Sequence, residues 1–105
     1  MVCYVNFEMM KINDVEKYID RPEVIIIDLR SPNEYQSGHI KGAVNIPFEE
    51  GKNIAKYIKG YRYVFLYCQR GSLSLMAARN LRGVNAKVYN LCGGLRAYYG
   101  KLVKM

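Results

Sequence analysis

A chain of 105 residues, half of them apolar and 24% charged, has room for one domain with a real core, expected over residues 1–105, and none for two. Three cysteines at long spacings beside one histidine make neither a disulfide framework nor a structural zinc site, which points to a reducing, cytoplasmic compartment. No apolar run approaches membrane-span length, the N-terminus has no secretion-signal pattern, and the net charge of +7 is dispersed, which argues against membranes and specific nucleic acid but favours encounter with small anions.

Along the chain, Tyr4–Phe7 is expected as an edge strand. Met9, Ile12, Val15 and Ile19 recur at helical spacing and predict a helix closed by Pro22. Val24–Leu29 is apolar on both alternating faces, the pattern of a buried parallel strand. Ala43–Ile46 reads as a shorter strand stopped by Pro47. Ile54, Ala55 and Ile58 make another helical stripe, followed by a third central strand at Tyr63–Tyr67. Leu75, Ala77, Ala78 and Leu81 mark a helix ending at a left-handed cap on Gly83. Lys87–Leu91 is a fourth strand, and after Gly93-Gly94 a last helix is expected to carry Leu95, Tyr98, Tyr99 and Leu102. Strands alternating with helices give an α/β fold: a small parallel sheet, right-handed crossovers, and helices on both faces. Ligands in such sheets bind at the carboxyl ends of strands, beside a switch in strand order. Cys68 stands at that end of the Tyr63–Tyr67 strand.

The segment Cys68-Gln69-Arg70-Gly71-Ser72-Leu73-Ser74 therefore runs from a strand into a helix. Its N–H groups, and the positive end of the helix, are expected to curl around the sulfur and favour thiolate over thiol. Gly71 permits the reversed backbone such a cradle needs, and Arg70 adds a cationic fork for an oxyanion. Ser72 and Ser74 are expected either to donate hydroxyls to a bound anion or to cap the helix. Asp28 and Arg30, at the end of the first central strand, are read as a pocket-supporting ion pair, with Arg30 also able to face an anion. Glu34 holds Arg30, caps the short helix around it, or simply belongs to a solvated face. Cys92 is read as a small core residue with a redox role as the alternative, and Cys3 as incidental.

Taken in order, Asp28-Leu29-Arg30, Glu34-Tyr35, Gly38-His39-Ile40, Gly42 to Pro47, the Cys68 loop, and Leu91-Cys92-Gly93-Gly94-Leu95 with Ala97-Tyr98 resemble the rhodanese family of sulfurtransferases. The resemblance covers about Asp28 to Tyr99 and implies a five-stranded parallel sheet flanked by helices. It implies that Cys68 takes a sulfane sulfur from a donor such as thiosulfate, holds it as a persulfide, and passes it to cyanide, a thiol or an acceptor protein, with no cofactor or metal. It also makes His39 part of a structural turn. The sequence departs from the common loop at Leu73, where many members carry a basic residue, which leaves the donor open between thiosulfate and a persulfide. Phosphatases related to this fold need an arginine where Ser74 stands, which argues against phosphate chemistry. A non-catalytic interaction module, or a redox sensor pairing Cys68 with Cys92, remains the alternative reading.

Overall fold

In the strands at the centre of the sheet, consecutive residues face opposite ways, and both ways lead into apolar layers. Ile25, Ile27, Leu29, Val64, Leu66, Cys68 and Val88 point into one core, while Ile26, Phe65, Tyr67 and Leu91 point into the other. That is why these segments are continuously apolar rather than alternating. Val64, Phe65, Leu66 and Tyr67 are all fully buried; each such side chain contributes roughly 1.5–3 kcal/mol on leaving water.

The computed structural model describes residues 7–49, 54–81 and 84–104. In chain order it contains β1 (Glu8–Lys11), a 3-10 helix (Ile12–Tyr18), β2 (Val24–Asp28), α1 (Pro32–Ser37), β3 (His39–Ile40) and β4 (Val44–Asn45). There follow a 3-10 turn (Ile54–Tyr57), β5 (Tyr63–Tyr67), α2 (Ser72–Asn80), β6 (Lys87–Cys92), a second 3-10 turn (Leu95–Ala97) and β7 (Leu102–Val103). Five strands form a parallel sheet in the order β1-β6-β5-β2-β4. The helix α2 and Ile54 and Ile58 cover one face; the Ile12–Tyr18 helix and Leu95 cover the other. From β2 the chain steps outward to β4, and from β5 it steps the opposite way to β6. A crevice therefore opens between the carboxyl ends of β2 and β5. Among the described residues, no helix is long and apolar enough to cross a membrane.

The fold class matches the sequence reading, but two local expectations do not survive. Met9 is not helical; it lies in β1, paired in register with Asn90 of β6, and the helical stripe starts only at Ile12. Ile12 and Val15, three apart, share the buried side of a 3-10 helix, whose three-residue turn reproduces that part of the pattern. An edge strand lies at Glu8–Lys11; of the strand expected at Tyr4–Phe7, Tyr4 to Asn6 lie outside the described residues, as does the cap expected at Gly83.

The last helix is the second case, since it stops after one turn. Tyr99 N–H donates to Asn13 Oδ1 at 2.8 Å, Tyr98 hydroxyl donates to Glu16 at 2.8 Å, and Asn13 donates to Ala97 carbonyl at 3.0 Å. These bonds to the Ile12–Tyr18 helix replace the next intrahelical ones, and Leu102 then enters β7, antiparallel to β3. The strand expected at Ala43–Ile46 shortens to β4. Pro47 has no N–H to give, yet Ile46 and Phe48 on either side still donate to Asp28 and Leu29 carbonyls at 3.0 Å each.

Candidate active site

Cys68 follows β5 directly, and the carbonyls after it set the course of the loop. Leu95 N–H donates to Cys68 carbonyl at 2.8 Å and Arg96 N–H to Gln69 carbonyl at 3.2 Å. With those carbonyls held toward the Gly93-Gly94 turn, the loop's amides turn the other way. Gly71 N–H reaches Cys68 Sγ at 3.0 Å and Ser74 N–H reaches it at 3.4 Å. Gly71 adopts φ +99°, a left-handed conformation that glycine takes without a side-chain clash, and α2 starts at the next residue. Ser74 N–H belongs to the first turn of α2, where backbone donors have no partner within the helix. The sulfur, in a side chain 2% exposed, fills that role at the helix's positive end.

Behind the sulfur, the chain buries two polar side chains. Ser74 Oγ lies 3.7 Å from Sγ and 3.1 Å from Gly71 carbonyl, and it also contacts Asn90 Oδ1 on β6. In front of it opens a cleft of about 480 Å³ lined by Leu29, Arg30, Phe48, Gln69, Arg70, Ser72 and Leu73, with Glu34 and Glu49 also on its wall. This volume is in the range that accepts an organic ligand.

Arg30 lines the cleft, but its charge is already matched. Its Nε lies 3.1 Å from both Asp28 carboxylate oxygens and its Nη2 2.8 Å from Oδ2. Nη2 also donates to Gly38 carbonyl at 2.6 Å, and Nη1 donates to Gln69 Oε1 at 3.4 Å. Burial works against the Arg30 charge, but the hydrogen bonds and negative charge of Asp28 outweigh it, and the pKa lies above its ordinary value. Asp28 also accepts from Tyr67 hydroxyl at 2.7 Å, and Tyr67 in turn accepts Ile40 N–H at 3.2 Å. Burial and then the Asp28 charge hold the Tyr67 hydroxyl far above the usual phenol range, so it remains a donor. The pair thus ties the end of β2 to β3 and to the Cys68 loop.

The fold therefore divides the residues picked from sequence. Cys68, Gln69, Arg70, Ser72, Leu73 and Arg30 face the cleft. Gly71 and Ser74 present amides to the sulfur, and Asp28 sits buried beneath Arg30. Glu34 closes a capping box with Ser31 at the start of α1. His39 is buried, stacked 3.7 Å from the Tyr35 ring with Nδ1 on Tyr35 carbonyl at 2.7 Å. Cys92 is a free, half-buried thiol, and Cys3 lies outside the described residues. Asn90, Tyr67 and Asn45 escaped the sequence reading, although each is a polar group inside an apolar strand run. Asn45 Nδ2 braces the end of β2 through Asp28 and Arg30 carbonyls at 3.0 and 2.9 Å.

The family model of the rhodanese-like domain matches residues 11–101. The chain belongs to the rhodanese-like domain family. It is similar to the uncharacterized protein YqhL of Bacillus subtilis strain 168, 42% identical over 78 residues that make up 73% of this chain and 62% of YqhL. It is also similar to thiosulfate sulfurtransferase GlpE of Pseudoalteromonas translucida strain TAC 125, 30% identical over 96 residues, 88% of this chain and 89% of GlpE. A rhodanese-related protein from Thermoplasma volcanium superposes with a TM-score of 0.79 at 21% identity, over 92% of this chain and 98% of that one, and shares its architecture. The rhodanese-like chain spans less than two thirds of the length of the first curated relatives it matches.

Proposed function

We propose that this rhodanese-like chain is a sulfurtransferase that carries a sulfane sulfur on Cys68. The observation that carries the reading is Cys68 Sγ at the focus of Gly71 and Ser74 N–H groups, at the base of an open cleft. In the first step the Cys68 thiolate attacks the outer sulfur of a donor. The donor's S–S bond breaks, sulfite leaves if the donor is thiosulfate, and a cysteine persulfide anion remains. In the second step cyanide or a thiolate attacks the terminal persulfide sulfur and releases the Cys68 thiolate. No external redox reagent is consumed. Amides aimed at the sulfur stabilise the anion at both ends of the cycle without a neighbouring base. Relatives named for sulfur transfer support the class.

Within that class the cleft lining favours an organic persulfide over thiosulfate. Arg30 is neutralised by Asp28, Leu73 is apolar, and Glu34 and Glu49 share the cleft wall with Arg70. Among the described residues that line it, Arg70 is the cation a dianion finds without an ion pair, while an organic body finds Leu29, Phe48 and Leu73. The test is intact-mass analysis after donor treatment, comparing thiosulfate with a small-molecule persulfide. One added sulfur is expected, mapped to Cys68 and absent in Cys68→Ser. Failure of both donors to add sulfur would overturn the assignment. A Cys68–Cys92 disulfide as the sole product would replace it with redox sensing.

A further inference from the structure

Gln69 follows Cys68 directly, is exposed, and lines the cleft beside it. Its backbone is fixed, because Gln69 carbonyl accepts Arg96 N–H at 3.2 Å. Its side chain makes one hydrogen bond among the described residues, Oε1 accepting from Arg30 Nη1 at 3.4 Å. Arg30 is not free to swing away from that contact. Asp28 holds its Nε and Nη2, and Gly38 carbonyl takes a second bond from Nη2, which leaves Nη1 as the edge that faces the loop.

A guanidinium carries N–H donors and no acceptor, so only the oxygen end of an amide can face it. At 3.4 Å the bond is weak, yet the reversed amide would set donor against donor. The direction of the Gln69 amide therefore follows from the sign of the interaction and not from its strength. With Oε1 turned to Arg30, the Nε2 hydrogens point away from it, and among the described residues no group accepts them. They are neutral donors in a cleft whose charges oppose one another: Asp28 pairs with Arg30, and Arg70 shares the wall with Glu34 and Glu49. An anionic acceptor gains little from that lining, and an ammonium has no lone pair to offer Nε2. An uncharged carbonyl oxygen suits the donor, and Leu29, Phe48 and Leu73 supply apolar surface for the body that carries it.

We propose that Gln69, aimed by Arg30, is a specificity-determining residue that donates an Nε2 hydrogen to a carbonyl oxygen on the body of an organic persulfide, so that the cleft selects donors carrying an amide. The inference rests on Cys68 as the sulfur carrier, but its test needs Cys68 only as a nucleophile. The probes are two uncharged disulfides, diethyl disulfide and N,N′-diacetylcystamine, the second bearing an acetamide on each arm. The Cys68 thiolate attacks one sulfur and the S–S bond breaks. One half leaves as its thiolate, and the other stays on Cys68 as a mixed disulfide, followed by intact mass. Both probes meet the same sulfur, so its ionisation cancels in the ratio of their rates. Neither is charged, so the fields of Arg70, Glu34 and Glu49 cancel too. The same ratio measured on N-acetylcysteine corrects for the probes' own reactivity.

The corrected ratio is expected to favour the amide probe in wild type and to fall about three- to tenfold in Gln69→Leu, the range of one hydrogen bond. Gln69→Glu keeps the length and the bond to Arg30 but has no hydrogen to give, and its ratio is expected to fall as far. The side chain is exposed, so neither variant removes a buried contact. A wild-type ratio equal to that of the free thiol, or a ratio unchanged in either variant, would overturn the proposal. The expected ratios in a protein whose Cys68 takes sulfur from no donor would leave Gln69 as the group that reads a carbonyl and refute sulfur transfer. Sulfur loading on Cys68 with a ratio indifferent to Gln69 would do the reverse.

Discussion

Replacing Gly94 with alanine is expected to dismantle the sulfur cradle from outside it. Gly94 has φ +68° and ψ −175°, a region occupied almost only by glycine, and forcing another residue into it costs roughly 1–3 kcal/mol. A Cβ there would also press on the Gln69 carbonyl and lie 2.6 Å from Arg70 N, backbone atoms that cannot swing aside. Relieving such an overlap costs about 1–3 kcal/mol more. The combined loss, about 2–6 kcal/mol, is a large share of the roughly 5–15 kcal/mol that holds an ordinary domain. The backbone movement that relieves it also breaks the Leu95 and Arg96 bonds to the loop. Gly60→Ala is the matched control: Gly60 has φ +89°, but nothing lies within 4 Å of its added Cβ. Urea denaturation of both variants separates conformational cost from contact cost, and sulfur loading of the folded protein reads the cradle. Gly94→Ala within about 1 kcal/mol of Gly60→Ala, with full sulfur loading, would refute the reasoning.

Three further outcomes are expected. Arg30→Ala leaves the buried Asp28 carboxylate without its partner and is expected to cost about 3–5 kcal/mol by chemical denaturation; under 1 kcal/mol would remove the pair from the scaffold. Tyr98 is raised to about 12 by burial and by its bond to Glu16, so its contribution is complete below the ordinary phenol value near 10 and is lost as pH rises to about 12. Stability measured between pH 10 and 12 is therefore expected to fall more steeply in wild type than in Tyr98→Phe; parallel curves would sink the assignment. Leu73→Lys, at a position 40% exposed on the cleft, is expected to raise kcat/KM for thiosulfate severalfold with little change in melting temperature, and an unchanged ratio to an organic persulfide would contradict the charge argument.

The parts of the fold that were legible in the sequence are those decided by burial on both faces. Val24–Ile27 and Tyr63–Tyr67 are unbroken apolar runs, so their places as inner strands follow from composition alone. Cys68, Gly71 and the apolar helix after them locate the loop in the same way. The ends of the chain were not legible, because partners far away in sequence decide them. Met9 becomes a strand residue through Asn90, and Leu102 through β3. Within the site, Ser72 and Ser74 looked alike in sequence. Helical geometry separates them, turning Ser72 to the cleft and burying Ser74 against the sulfur. Asn90 left only a faint sign, one amide in an apolar strand, and its meaning depends on Ser74 being across from it.

The turn at Gly93-Gly94 also imposes an order in time. Cys68 is synthesised well before Asn90, Gly94, Leu95 and Arg96, whose contacts steer its loop carbonyls and back its sulfur. A nascent or truncated chain that stops short of this turn displays the thiol with its loop unclamped. The amides that face the sulfur come from the Gly71–Ser74 segment itself, but the bonds that hold the carbonyls of Cys68 and Gln69 away from it come from Leu95 and Arg96, so a chain cut before this turn keeps the donors and loses what aims them.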